Sequence, residues 1–174
     1  MSRAALEVRD HSGTDSNDRQ LDEGEQRFER ILLASEGRPI SPAAIDRVIS
    51  LAKETGASVR VFSVARVHGV GFALPNPGLL PTKREWAEQR EIVAKAIARL
   101  KRKGIQADGH VLGTRKATKS IVNEAAKHRS EAIVMAADPD RNRVAADFMW
   151  TQEPQRVRRR AKVPVFLVVD EDSS

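Results

Sequence analysis

The 174-residue chain contains no cysteine and no tyrosine, and aromatic residues make up only 4% of it. Without cysteine the chain has no disulfide, no thiolate nucleophile and no cysteine-ligated zinc site, which fits a reducing compartment. No apolar run approaches the roughly 20 residues that a membrane-spanning helix needs, and the N-terminus lacks the apolar segment of a secretory signal. We therefore predict a cytoplasmic protein with no membrane contact and a core of Val, Ile, Leu and Ala.

Metal-binding and catalytic motifs are also missing. The four histidines do not occur at metal-ligand spacing, and no G-x-S-x-G motif supports a serine hydrolase. Asp138 and Asp140 can bind a cation beside a phosphate, although aspartates so placed more often stabilise a turn. We predict no metal site, no catalytic residue and no enzymatic activity, with a weak ATPase kept as an alternative.

The net charge of +6 is spread unevenly along the chain. Residues 1–28 are polar and lack periodicity, which predicts a disordered leader, and residues 171–174 form an acidic tail. Residues 31–169 carry 25 basic and 13 acidic side chains, a net charge of +12. Such a body can attract a polyanion, or it can be an ordinary solvated surface balanced by its acidic ends.

Between these ends, short apolar runs alternate with segments of helical periodicity. Strands are predicted at residues 30–35, 58–67, 105–113, 131–137 and 163–170. Helices are predicted at residues 41–56, 82–104, 118–130 and 153–162. Because alternating strands and helices imply parallel strands with crossover helices, we predict an α/β fold: a single open five-stranded parallel sheet with helices on both faces.

Three stretches carry a family resemblance: "RILLASEGRPISPAAIDRVISLAKETGASVRVFSV", "AIVMAAD" and "RVRRRAKVPVFLVV". Their order and spacing resemble a universal stress protein (UspA-like) domain, which we assign to residues 29–170. The resemblance implies a Rossmann-like sheet of strand order 3-2-1-4-5, similar to adenine nucleotide alpha hydrolases. It also implies a homodimer through the last strand, in which the interface residues are Val163, Val165, Phe166, Leu167 and Val168.

Members of this family that bind ATP resemble Gly-x2-Gly-x9-Gly-[Ser/Thr] after the fourth strand, since glycine lets backbone N–H groups approach phosphates. Here the first glycine position falls on Ala136 and the second on Pro139, which has no N–H. The third falls near Thr151, with Gln152 in the hydroxyl position. Glu36 stands where binders typically have an aspartate. The motif is therefore degenerate.

We accordingly predict a dimeric, non-enzymatic binding module without ordinary ATP binding and without a cofactor. One alternative is a stress sensor that binds ATP or cyclic AMP through side-chain contacts to phosphate. In that case the candidate contacts, all at or after strand ends, are Ser35, Glu36, Val64, Ala136, Asp138, Arg141, Arg143, Thr151 and Gln152. Another alternative is a basic adaptor that binds nucleic acid or an acidic protein complex through Arg156, Arg159 and Arg160.

Overall fold

The computed structural model describes residues 27–66, 81–137 and 152–169. The strands are β1 (Arg30–Ser35), β2 (Ser58–Arg66), β3 (Ala107–Thr114), β4 (Ala132–Ala137) and β5 (Val165–Val169). The helices are α1 (Pro42–Thr55), α2 (Lys83–Arg102), α3 (Ala117–Lys127) and α4 (Glu153–Arg160).

The strands form one five-stranded sheet of order β3-β2-β1-β4-β5, in which every pair is parallel. The predicted fold class and strand order are confirmed. In a parallel sheet of this order, the carboxyl ends of β1 and β4 lie side by side where the strand order reverses, and ligands commonly bind there.

Both faces of the sheet are covered, because successive side chains of a strand point to opposite sides. On one face, Ile31 and Leu33 of β1 pack with the apolar stripes of α1 and α2. On the other, Leu32 and Ala34 pack with Ile121 of α3 and its neighbours, including residues of α4. Burial on both sides explains why β1 is a continuous apolar run in the sequence.

Local capping fixes where the first two helices begin. The Ser41 hydroxyl accepts a hydrogen bond from Ala44 N at 3.1 Å, and α1 ends at Gly56, whose φ of 74° is left-handed. At the start of α2, Thr82 and Glu85 form a complete capping box. Both caps stand at the predicted first residues of these helices, 41 and 82, and Gly56 is the predicted last residue of the first helix.

Several boundaries differ from the prediction, and four of them have a clear local cause. β3 begins at Ala107, because Ile105 N instead closes the end of α2 on Leu100 O at 3.1 Å. β5 begins at Val165, after Pro164, which has no N–H to donate to a strand ladder. α4 ends at Arg160 because Ala161 is extended, with φ −68° and ψ 144°. α3 ends at Lys127, before a left-handed turn at Arg129, whose φ is 51°.

The folded body begins before β1. Phe28 is only 6% exposed, and its ring meets that of Phe166 edge-on at 6.0 Å. The predicted leader ended at residue 28, so this residue belongs to the core instead. Residues 1–26 and the acidic tail lie outside the described residues.

Candidate functional site

The turn after β1 is the best-defined part of the site at the carboxyl ends of the strands. Ser35 and Glu36 are 4% and 2% exposed. The Ser35 hydroxyl donates to Arg38 O and accepts from Gly37 N, and Gly37 has a φ of 107° that favours glycine. The Arg38 guanidinium forms an ion pair with the Glu36 carboxylate. The turn is therefore closed by its own hydrogen bonds and charges.

Gln89 of α2 connects this turn to β2. Its Oε1 accepts a hydrogen bond from the Ser63 hydroxyl at 2.7 Å, and its Nε2 donates to Gly37 O at 3.0 Å. Ser63 is fully buried, so this side-chain bridge satisfies a polar group that would otherwise be costly to bury. Arg38, Ser63 and Gln89 were not among the predicted site residues. The only available signal was the position of Ser63 near a strand end.

The other predicted nucleotide contacts fall into three groups. Val64 is fully buried and packs in the core against α3, so its side chain does not face the strand ends. Ala136 is half-buried near the end of β4, and Gln152 is half-buried before α4, where it makes no side-chain cap. The remaining ones lie outside the described residues: Asp138, Arg141, Arg143 and Thr151.

The start of α4 joins the start of α3 through Glu153. This carboxylate accepts a hydrogen bond from the Thr118 hydroxyl and pairs with Arg156 at 3.1 Å. Its position in the first turn suits the positive end of a helix. Arg159 and Arg160 are exposed. The three predicted polyanion contacts thus share one helix, but Glu153 balances the charge of Arg156.

β5 is an edge of the described sheet. Its first four residues are half-buried and Val169 is 43% exposed. Side chains of both faces pack partly against the core: Phe166 and Val168 against one cluster, Val165 and Leu167 against the other, with Val163 just before the strand. A short apolar edge of this kind can pair with another strand.

A family model for universal stress proteins matches residues 27–169, a span that includes every described residue. The chain belongs to the universal stress protein family. Among curated proteins, none matches the chain significantly by sequence.

Solved universal stress proteins share the fold at low sequence identity. One from Burkholderia pseudomallei is 19% identical with a TM-score of 0.60, covering 83% of this chain and 98% of its own. One from Archaeoglobus fulgidus in complex with dAMP is 19% identical with a TM-score of 0.58, covering 80% and 97%. A third, in complex with cAMP, is 17% identical with a TM-score of 0.57, covering 82% and 98%.

This universal stress protein also has a polar cluster that sequence spacing did not reveal, on the sheet face covered by α3. The buried Glu124 carboxylate lies 3.2 Å from Arg60 Nε, 3.0 Å from His128 Nε2 and 3.6 Å from His110 Nδ1. Arg60 also pairs with Asp108 at 2.9 Å and contacts His110 Nδ1 at 3.1 Å. Burial lowers the pKa of His110, although the nearby Glu124 charge acts to raise it.

This cluster is an ion-pair network, because the Arg60 guanidinium stands among the groups that would otherwise converge on a cation. Within the described ranges, no group of three or more His, Asp or Glu side chains is arranged to hold a metal ion. In the same ranges, no helix is both long and apolar enough to cross a bilayer.

Proposed function

We propose that this universal stress protein is a non-enzymatic regulatory protein of the cytoplasm, which acts as a dimeric binding module without ordinary ATP binding. The observation that carries the proposal is the absence of glycine from Ala136 to Gln152. Glycine-bared amides are what a phosphate loop uses to hold a triphosphate, and Pro139 lacks an amide hydrogen altogether.

The turn after β1 supports the proposal. The Glu36 carboxylate stands where nucleotide-binding relatives typically have an aspartate, but here Arg38 pairs with it and the carboxylate is 2% exposed. A ligand that used this carboxylate would have to replace the guanidinium. Since a buried charge that loses its partner is costly, the pair favours the ligand-free turn.

The exposed edge of β5 supports the dimer. Its five residues are apolar, and the described part of the chain pairs only their β4 side. Pairing two copies of β5 antiparallel would bury Val169 and satisfy the free backbone groups of the edge. Light scattering tests this directly, and a monomer at micromolar concentration would contradict it.

A second candidate is a sensor that binds ATP or cyclic AMP. Relatives of the same fold hold dAMP and cAMP, which favours a nucleotide in this fold, with Arg141 and Arg143 as side-chain contacts to phosphate. A third candidate, a basic adaptor for nucleic acid or an acidic protein complex, is favoured by the exposed Arg159 and Arg160.

Calorimetry with millimolar ATP, ADP and cyclic AMP separates the first two candidates. We expect no saturable heat. Saturable heat that an Arg141→Gln/Arg143→Gln variant loses would support the sensor and overturn the first proposal. For the adaptor, gel shifts with nucleic acid would have to weaken steeply with salt and with an Arg159→Gln/Arg160→Gln variant.

A further inference from the structure

A groove of about 290 Å³ lies between α3 and the connection from α4 to β5. Buried Ile133 of β4 and Ala125 of α3 line it, and Arg129 and Lys162 stand at its rim with exposed side chains. Ala126 of α3 is exposed and also lines this groove. The groove therefore has an apolar floor and two cationic side chains at its rim.

Three polar side chains of the groove lack partners among the described residues. The side chains of Arg129 and Lys162 form no ion pair there. Ser130 is 5% exposed and lines the groove, and its Oγ has no hydrogen-bond partner within the same residues. A buried hydroxyl without a partner is costly, so a segment that brings acceptor oxygens would be favoured.

The groove adjoins the start of β5. Its position therefore determines which segment of the partner subunit can reach the groove in a β5 dimer. β5 runs from Val165 to Val169. If two copies of β5 pair antiparallel about the middle of the strand, residues 170–172 of one subunit lie beside residues 162–164 of the other. Residues 170–172 are Asp, Glu and Asp, and residue 162 is the lysine at the groove rim.

We propose that Asp170 and the acidic tail that follows it dock at this groove of the partner subunit, with the carboxylates of Asp170, Glu171 and Asp172 against Lys162 and Arg129. The proposal rests on the dimer through β5 described above. The reach is sufficient, because Ile133 lies on β4, two strand spacings of about 4.8 Å each from the partner's β5, whereas residues 170–174, if extended, span up to ~16 Å.

Charge reversal tests the proposal on the full chain. Lys162→Glu and Glu171→Lys should each raise the dimer dissociation constant about tenfold, since each reverses two symmetry-related rim contacts. Sedimentation equilibrium at low salt provides the measurement. Lys103→Glu is the matched control, because that lysine is exposed after α2 and does not line the groove. The dimer dissociation constant of this variant should equal that of the unmodified chain.

Mixing the two variants shows whether the tail docks on the partner or on its own chain. In the mixed dimer, each residue 171 faces a residue 162 of opposite charge only if docking is between subunits. We expect the mixture to recover the unmodified dissociation constant. Failure of the mixture to recover would overturn the proposal, as would unchanged dissociation constants in both single variants. A monomeric unmodified chain would instead overturn the β5 dimer and this inference together.

Discussion

The ion-pair network around Glu124 gives a quantitative prediction. In Glu124→Gln, the side chain keeps its shape but loses the charge that Arg60 Nε contacts at 3.2 Å. A hydrogen bond to a charged group contributes about 1.5–3 kcal/mol, against about 1 kcal/mol for a neutral one. Arg60 keeps Asp108 at 2.9 Å, so the loss stays below the roughly 3–5 kcal/mol of an orphaned buried charge. We expect a loss of about 1.5 kcal/mol.

For a chain of this length, that loss lowers the melting temperature by about 3–6 °C. The measurement is thermal and urea unfolding at pH 8. Glu88→Gln is the control, because the Glu88 carboxylate pairs with Arg84 on an exposed helix face and its loss should leave the melting temperature unchanged. If the Glu124→Gln chain has the same melting temperature as the control, the network contributes nothing to stability. A loss above 4 kcal/mol would show that Asp108 does not hold Arg60.

Three further predictions concern the sheet and its edges. Gly109→Ala should cost about 3 kcal/mol in urea unfolding, because a Cβ there would overlap the Val61 carbonyl, whereas Gly56→Ala, with open space but a φ of 74°, should cost about 1 kcal/mol; equal losses would contradict the steric argument. Because burial lowers the pKa of His110 in the folded chain, the unfolded chain takes up a proton first as pH falls below about 6.5. The free energy of unfolding should therefore be highest above that pH and decline below it. His110→Gln should flatten this decline in urea unfolding between pH 8 and 5, and an unaltered profile would show that other groups cause the decline. Val169→Lys should shift the dimer toward monomer in light scattering while the monomer still unfolds cooperatively, since Val169 is 43% exposed; a dimer that persists unchanged would exclude this edge as the interface.

Much of the fold could be predicted because its signals are local. The Ser41 and Thr82 caps and the stop at Gly56 act within four residues of themselves, and the alternation of apolar runs with helical stripes determines a parallel sheet. Strand order came from the family resemblance rather than from these patterns. The predicted bounds of β3 and β5 were wrong by one or two residues. At β3, the Ile105 N–H bonds to the end of α2 instead of to a neighbouring strand, and at β5, Pro164 has no N–H to donate.

The polar contacts could not be predicted, because they join residues far apart in the chain. Arg60 and Glu124 are 64 positions apart, and Gln89 lies 52 positions from Gly37. In the sequence, Glu124 looks like any solvated helix residue; its burial follows from which strand the helix covers. Ala126 shows the converse, since it is an apolar residue next to the buried Ala125 but is itself exposed.

The contact of Phe28 with Phe166 links the first described residues to the far edge of the sheet. β4 separates β1 from β5 in strand order, so this ring reaches past a neighbouring strand to support the strand that we propose for pairing between subunits. Proteolytic trimming up to Arg27 would leave that support intact, whereas removing one more residue would take it away. For the proposed β5 dimer, the shortest chain that keeps this support therefore begins at Phe28 rather than at the first strand.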